Sequence, residues 1–142
     1  MVYVIDASVA SRFLLVEDLF DRAGLVLEDF VREEVDLRVS ELLVFEVGNT
    51  LWRAVKRGFI GPEEAEEKFS YFLGLGIDCI ELDEEDHRKV LGWSAENDAT
   101  YYDSAYVRSS EKVGATLLTA DDTLYKKAKG ETPTLHLKDY RR

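Results

Sequence analysis

Apolar and polar residues alternate along this chain with two different periods, which predict strands and helices in turn. Short, mostly apolar runs between polar or turn-forming residues indicate buried strands, and apolar residues at every third or fourth position indicate helices. The predicted strands are Val2–Asp6, Asp36–Ser40, Ile77–Leu82, Thr116–Thr119 and Thr134–Leu137. The predicted helices are Ser8–Leu15, Leu19–Val31, Leu43–Arg57, Pro62–Leu75, Glu84–Asn97, Tyr102–Val113 and Asp122–Ala128.

Strands separated by helices predict an α/β fold with a mainly parallel central sheet that is covered by helices on both faces. In such sheets ligands bind beyond the carboxyl ends of the strands. The chain of 142 residues is of a size that forms one domain with its own hydrophobic core. We therefore expect a single domain that spans residues 1–142 and places its functional site at the carboxyl edge of the sheet.

Cysteine content and hydropathy limit the class of protein. The lone Cys79 has no cysteine partner, which excludes disulfide frameworks and thiolate metal sites, and its strand-like surroundings predict a buried structural thiol. No segment has the eighteen or so consecutive apolar residues that a membrane span needs, and the N-terminus has no signal-peptide pattern. We expect a cytoplasmic protein with no membrane association.

Charge is unevenly distributed along the chain. The net charge of −11 disfavours strong nonspecific binding of nucleic acid, which depends on Lys and Arg neutralising phosphates. However, residues 1–104 carry 10 basic and 24 acidic side chains, whereas residues 105–142 carry 8 basic and 5 acidic ones. A divalent cation would also turn an acidic pocket into one that attracts phosphate, so we expect weak intrinsic affinity for RNA.

Four acids interrupt or end apolar runs, where an ionised carboxylate is costly unless something compensates its charge. They are Asp6 in VIDAS, Glu46 in LLVFEVGNT, Asp103 in TYYDSAYV and Asp121 in LLTADDTL. Asp6 closes the first predicted strand and Asp121 lies just past the strand LLT, so both should project at the carboxyl edge.

Carboxylates brought together in one site need a counter-ion. Two of them about 4 Å apart repel by roughly 4 kcal/mol at an effective dielectric constant near 20, which is large for a domain stable by about 5–15 kcal/mol. Hard carboxylate oxygens favour Mg²⁺ or Mn²⁺. Such an ion could activate water against a phosphodiester, and this chemistry needs no protein nucleophile. If the acids do converge, Asp6→Asn or Asp103→Asn should leave the metal-free fold equally or more stable.

One face of the predicted helix Leu43–Arg57 carries an acid, an amide and two cations. Asn49, Arg53 and Arg57 follow Glu46 at offsets of 3, 7 and 11 residues, which places all four side chains on one stripe of the helix. This stripe could face an anionic substrate held by metal.

Simpler explanations exist for each candidate residue. Asp6, Ser8, Asp103 and Asp121 lie near predicted helix starts, where Asp and Ser often serve as N-caps. Thr119 could merely orient its turn. Glu46 lies in mid-helix, where an ion pair with an Arg or Lys is the alternative.

Taken together, the order and spacing of these segments resemble the PIN domain family, and within it the VapC-like toxins of prokaryotic toxin–antitoxin pairs. The resemblance runs from residue 1 to about residue 137 and rests on VIDASV, E-V-G-N-T-L, Y-D-S-A-Y-V and L-L-T-A-D-x-x-L. It implies a PIN-like three-layer α/β/α fold. It also implies that Asp6, Glu46, Asp103 and Asp121 bind metal, with Ser8, Asn49 and Thr119 as polar supports. Asp122 and Asp98 do not match the four acids and are interpreted as a helix-capping residue and a loop acid.

The resemblance further implies a Mg²⁺ or Mn²⁺ dependent endoribonuclease that cuts cellular RNA such as tRNA or rRNA. A small antitoxin would inhibit it, and the protein would be a homodimer. Large apolar residues on two adjacent predicted helices either form a surface for such a partner or complete the core. They are Phe45, Trp52, Phe59, Phe69, Phe72 and Leu73.

Two other functions stay open at this point. One is a housekeeping PIN nuclease that processes RNA without an antitoxin. The other is a noncatalytic scaffold that binds protein or RNA and uses the acids only as helix caps. A phosphoacceptor receiver domain is disfavoured, because Asp6-Ala-Ser8 does not supply the acidic pair that such a domain needs.

Overall fold

The computed structural model describes all 142 residues and contains every predicted strand and helix. The observed ends agree with the predicted ends to within two residues. The strands are β1 (Val2–Ile5), β2 (Asp36–Ser40), β3 (Asp78–Ile80), β4 (Thr116–Thr119) and β5 (Thr134–His136). The helices are α1 (Ala7–Leu14), α2 (Phe20–Val31), α3 (Leu42–Lys56), α4 (Pro62–Gly74), α5 (Glu84–Asn97), α6 (Tyr101–Val113) and α7 (Asp122–Ala128).

The five strands form one sheet in the order β3-β2-β1-β4-β5, and every pair of neighbours is parallel. Helices α1 to α4 pack with one another, and α5 packs with α6. This arrangement is a three-layer α/β/α fold, as expected. Its core is built from apolar strand residues such as Val4, Ile5, Leu117 and Leu118, all of which are fully buried.

The strand order reverses direction between β1 and β4. The chain leaves β1 for β2 on one side, and leaves β4 for β5 on the other. The carboxyl ends of β1 and β4 therefore border the crevice where parallel α/β sheets bind ligands. Asp6 directly follows β1, and Asp121 follows β4 by two residues.

Two helices bring further side chains to the same edge. Helix α3 begins at Leu42, two residues after β2 ends, and its first N–H group is accepted by the hydroxyl of Ser40 at 3.2 Å. Helix α6 ends at Val113 and is capped by Gly114, whose φ of +65° suits a residue without a Cβ. Strand β4 starts at Thr116, so α6 runs back along the sheet and its first turn lies at the carboxyl edge.

The prediction of a buried thiol at Cys79 is wrong, because the side chain is exposed. Cys79 lies in β3, which is the short edge strand of the sheet. An edge strand has a neighbour on one side only, so it offers less cover to its residues. None of the helices combines the length and the apolar composition needed to cross a membrane.

Candidate active site

A chain of short hydrogen bonds joins the ends of β1 and β4. The hydroxyl of Ser8 donates to Oδ1 of Asp6 at 2.6 Å, and the hydroxyl of Thr119 donates to Oδ2 at 2.6 Å. Ser8 also accepts the backbone N–H of Ala120 at 2.8 Å, and Thr119 accepts that of Asp121 at 3.0 Å. Ser8 and Thr119, predicted as polar supports, therefore hold Asp6 and the β4–α7 turn together.

Asp6 is almost completely buried, with 4% of its surface exposed. It is also the N-cap of α1, because Oδ1 accepts the backbone N–H of Val9 at 3.2 Å. Burial raises the pKa of Asp6 to about 6 even though its hydrogen bonds with Ser8 and Thr119 act in the opposite direction. The negative charge of Asp121 contributes to the raised pKa.

Asp121 combines two roles that the sequence alone left as alternatives. It is the N-cap of α7, where Oδ1 accepts the backbone N–H of Leu124 at 3.0 Å. Its charge also raises the pKa values of both Asp6 and Asp103. Helix capping and membership of the acidic site are thus compatible at this position.

Asp103 lies in the first turn of α6 but does not cap it. Thr100 is the N-cap, and its hydroxyl accepts the backbone N–H of Asp103 at 3.1 Å. The pKa of Asp103 is raised by burial and by the charge of Asp121, while Lys127 lowers it. The side chain of Asp103 accepts no protein hydrogen bond, so its carboxylate is free to bind a ligand.

Glu46 is held by a tyrosine that the sequence analysis did not single out. The hydroxyl of Tyr106, which is only 2% exposed, donates to Oε1 of Glu46 at 2.9 Å. The pKa of Glu46 is raised overall. Burial and the negative charge of Asp103 raise it, and together they outweigh this hydrogen bond, which lowers it. Tyr106 follows Asp103 by three residues on the same helix face, and this spacing was the signal that could have identified it.

The four acids are electrostatic neighbours, but their carboxylates do not converge on one point. Charge interactions link Asp6 to Asp121, Asp121 to Asp103 and Asp103 to Glu46. No three His, Cys, Asp or Glu side chains are close enough together to hold a metal ion directly. The donor chemistry fits Mg²⁺, which is usually bound through one or two carboxylates and keeps several of its waters.

A cavity of about 440 Å³ opens beside Glu46, between α1 and α3. Asn49 and Arg53 line it together with Ser8, as expected for side chains on the Glu46 stripe. Arg57 does not line this cavity. It lines an adjoining cavity of about 650 Å³, to which Arg53 also belongs.

Arg12 also lines the cavity beside Glu46 and was missed by sequence reasoning. Its guanidinium donates to the backbone oxygens of Ser8 and Asp18, each at 2.7 Å, and pairs with the Asp18 carboxylate at 2.8 Å. Tyr102, adjacent to Asp103, lines the same cavity with a half-exposed ring. Arg12 lies four residues after Ser8, which is the only sequence signal that associates it with the site.

The two remaining acids lie apart from the set. Asp98 is an exposed residue at the end of α5, as predicted for a loop acid. The prediction that Asp122 caps α7 is wrong, because Asp121 occupies the capping position. Asp122 instead contacts Nε2 of the buried His136 through Oδ1 at 2.8 Å.

The large apolar residues of α3 and α4 divide into two groups. Phe72 is buried in the core, and Phe69 is partly buried against it. Phe45, Trp52, Phe59 and Leu73 are exposed by 51–79%. Completion of the core therefore explains the first group only, and the second group leaves an apolar surface facing solvent.

Sequence comparisons give a consistent family assignment. The family model described as PIN domain matches residues 3–130. A curated relative, Ribonuclease VapC3 of Pyrobaculum aerophilum, is 30% identical over 131 residues, which cover 89% of this chain and 95% of the relative. Exonuclease VapC9 of the same organism is 28% identical over 122 residues, covering 81% of this chain and 88% of the relative.

Solved structures share the fold over almost the whole chain. The crystal structure of PAE2754 from Pyrobaculum aerophilum superposes with a TM-score of 0.73 at 25% identity, covering 97% of this chain and 93% of that one. VapBC2 from Rickettsia felis, solved bound to a DNA fragment, gives a TM-score of 0.70 at 13% identity, with coverages of 96% and 98%. At that identity the second likeness concerns the fold alone.

Proposed function

Because this chain belongs to the PIN domain family, we propose that it is a metal-dependent endoribonuclease that hydrolyses phosphodiester bonds of cellular RNA. The proposal depends most on one observation. Asp6, buried at the end of β1, and Asp121, beyond β4, lie at the point where the strand order reverses, and their charges are coupled to Asp103 and Glu46. The relative named Ribonuclease VapC3 supports the same activity.

Asp6, Glu46, Asp103 and Asp121 would hold Mg²⁺ or Mn²⁺, directly or through water. When bound, such an ion lowers the pKa of water and stabilises the departing oxygen of a phosphodiester. The protein's own contribution is to position the donors. Ser8 and Thr119 fix Asp6, Tyr106 fixes Glu46, and the absence of hydrogen bonds leaves Asp103 free to move toward a ligand.

Asn49 and Arg53 would bind the RNA backbone in the cavity beside Glu46. The guanidinium of Arg53 can neutralise a phosphate, and the amide of Asn49 can donate to a phosphate or sugar oxygen. Arg57, in the adjoining cavity, would contact the same strand farther from the cut. The binding surface for substrate thus follows one face of α3.

The activity is tested by incubating purified protein with linear and circular RNA of the same sequence, in the presence of Mg²⁺, Mn²⁺ or EDTA. A circular RNA has no ends, so only an endonuclease can cut it. This distinction matters because one relative is named an exonuclease. Metal-dependent cutting of both RNAs would support the proposal, and cutting of the linear RNA alone would indicate an exonuclease.

We further propose that the protein is the toxin of a toxin–antitoxin pair, that it is a homodimer and that tRNA or rRNA is its target. Phe45 and Trp52 on α3 and Leu73 on α4 are large apolar side chains exposed to solvent, of the kind that partner proteins cover. The VapBC2 complex among the structural neighbours is consistent with a partner of this class. One domain, residues 1–142, acting in the cytoplasm would be sufficient for this role.

Two measurements distinguish a toxin from a housekeeping nuclease. Light scattering of the purified protein gives its oligomeric state, and a dimer is expected. Expression of the protein alone should stop growth, and co-expression of a small protein encoded next to it should restore growth. Growth that is unaffected, together with metal-dependent RNA cleavage in vitro, would favour the housekeeping nuclease. Absence of cleavage and of metal-linked stabilisation would favour the scaffold.

A further inference from the structure

The cavity of about 650 Å³ next to the acidic site has a lining that suits a nucleotide. We call it the flanking cavity and define it by Arg53, Arg57, Phe59, Ile60, Leu14 and Lys68. It shares Arg53, Thr50 and Glu17 with the cavity beside Glu46, so the two cavities form one continuous groove. A strand bound at the acids could therefore extend into the flanking cavity without leaving the surface.

Arg53 and Arg57 are free to bind an external anion. Seven of the ten arginines donate side-chain hydrogen bonds within the protein, but these two donate none. Both are exposed and both line the flanking cavity. In a chain with a net charge of −11, two unpaired guanidinium groups in one groove favour a polyanionic ligand.

The charged lining of the flanking cavity is positive overall. Lys68 donates to the backbone oxygen of Leu14 at 2.8 Å and lies 3.7 Å from Glu64, so these two charges balance. Glu17 accepts a hydrogen bond from Ser11 at 3.3 Å and keeps its negative charge. The two arginines exceed that single charge, so the three cations and two anions of the lining leave a formal charge of +1.

Phe59 presents an aromatic face on a fixed turn. Gly58, with a φ of +79°, and Phe59 close the end of α3 by donating their N–H groups to the oxygens of Val55 and Ala54, at 3.0 and 2.9 Å. This is a Schellman motif, which fixes the backbone beyond a helix end. The ring of Phe59 is 75% exposed, which is costly for an apolar group in water but suits stacking with a nucleic-acid base.

Helix α3 sets the separation between the acids and this aromatic face. Arg57 follows Glu46 by 11 residues, which corresponds to about 16 Å along the helix axis. We propose that the flanking cavity binds a nucleotide on one side of the cut, with Arg57 on its phosphate and Phe59 stacked on its base. This inference rests on the proposed ribonuclease function and adds a subsite to it.

The subsite is tested with RNA oligonucleotides that share one cut site and are extended by one nucleotide at a time on either side. The wild-type protein should show a rise in kcat/KM at one extension step on one side. Phe59→Ala should make this increase in kcat/KM about tenfold smaller, in line with the loss of one stacked base. Phe59→Tyr should restore the full increase. Arg57→Ala should lower both the rise and its dependence on salt.

Matched control variants lie outside the groove. Phe20→Ala removes an aromatic ring of α2 that is 49% exposed and lines neither cavity. Lys56→Ala removes a cation that lies over the Trp52 ring, 5.2 Å from its centroid. Both variants should keep the rise with length.

Three outcomes would count against the subsite. The inference is overturned if Phe59→Ala and Arg57→Ala keep the full rise, or if the two controls lose it equally. It is also overturned if the variants cleave RNA normally but fail to bind a protein partner, because the groove would then be a protein site. Absence of cleavage by the wild-type protein would instead remove the proposed function itself.

Discussion

The hydroxyl of Tyr106 donates a hydrogen bond of 2.9 Å to Oε1 of Glu46 across 60 residues of sequence. Tyr106 lies on α6, three residues after Asp103, whereas Glu46 lies on α3. Burial and the charge of Glu46 raise the pKa of Tyr106, so the phenol stays protonated and remains a donor. One buried side chain therefore positions two elements of the acidic site relative to each other.

Tyr106→Phe should weaken metal binding by about 10- to 100-fold, the range seen when the partner of a metal-binding side chain is removed. Mn²⁺ affinity, measured by titration calorimetry without RNA, gives this value independently of activity. Tyr140→Phe is the matched control, because Tyr140 is equally buried and donates to Asp29 at 2.7 Å away from the site. Equal Mn²⁺ affinity in both variants would show that Tyr106 has only a structural role.

Asp103→Asn should stabilise the metal-free protein while abolishing RNA cleavage; solvent screens this half-exposed charge, so the gain should not exceed about 1 kcal/mol. The raised pKa of Asp103 shows that its surroundings, above all burial and Asp121, disfavour the charged form. Its position in the first turn of α6 favours a negative charge by only about 0.3–1 kcal/mol. Urea denaturation in EDTA measures the change, and Asp98→Asn, at an exposed position, should show none.

Asp6→Asn should have the opposite effect on stability at low pH. The carboxylate of Asp6 accepts three hydrogen bonds, from Ser8, Val9 and Thr119. An amide cannot accept all three. Near pH 4, where Asp6 carries no charge in the fold, we therefore expect a loss of about 1–2 kcal/mol in the free energy of unfolding. At neutral pH the removal of a buried charge offsets this loss. The sequence alone predicts the same sign for Asp6 and Asp103, and the capping geometry separates them at low pH. A stabilising effect of Asp6→Asn near pH 4 would show that the three hydrogen bonds contribute nothing to stability.

Stability without metal should fall as the pH rises from about 4 to 6.5. The pKa of Asp6 is about 6 in the folded protein, above the value of about 3.9 for an unfolded chain. The folded state thus binds more protons than the unfolded state between these values, which gives stability at low pH that is lost as Asp6 ionises. At neutral pH the ionisation of Asp6 lowers the free energy of unfolding by on the order of 3 kcal/mol.

Denaturation of the wild type and Asp6→Asn at a series of pH values isolates this contribution. The wild type should lose stability relative to the variant as the pH rises. Added Mg²⁺ should reverse the trend, because metal binds the ionised carboxylate. Asp86 has a lowered pKa because of Lys112 and Arg108. Its ionisation makes stability rise with pH, but only below about pH 4. If the free energies of unfolding of wild type and variant differ by the same amount at every pH, Asp6 is already ionised in the folded protein at pH 4.

Asp86→Asn should destabilise the protein without changing Mn²⁺ affinity. Asp86 is buried and pairs with Arg108 at 2.8 Å and Lys112 at 2.6 Å, and it completes the capping box of α5. Breaking a buried ion pair costs about 3–5 kcal/mol, and the partial exposure of the two cations favours the lower end. Thermal denaturation measures the loss, and a change in metal affinity would link this cluster to the acidic site.

Sequence patterns were sufficient for the positions of the secondary structure and for part of the site. Continuous apolar runs predicted β1 and β4, and the rule for parallel sheets placed Asp6 and Asp121 at their shared edge. The face of α3 that carries Glu46 was also predicted. Arg57 lies on that face, yet the rise of 11 residues along the helix puts it in the next cavity.

The remaining features depend on contacts between distant parts of the chain. Tyr106 and Glu46 are 60 residues apart, so their hydrogen bond has no local signature. Cys79 was expected to be buried because its run is apolar, but its strand lies at the edge of the sheet. For Asp121 the sequence leaves helix capping and a place in the acidic site as alternatives. In the structure one carboxylate does both, because one of its oxygens caps α7 while its charge acts on Asp103.

The most direct test of the central claim is a crystal structure of the protein grown with Mn²⁺, with the ion located by its anomalous scattering. We expect a peak at the carboxyl edge between β1 and β4, bound by at least two of Asp6, Glu46, Asp103 and Asp121. Asp103→Asn crystals grown in the same way should lose or weaken that peak. A fully occupied Mn²⁺ peak elsewhere, or RNA cleavage that persists in Asp103→Asn, would contradict the account.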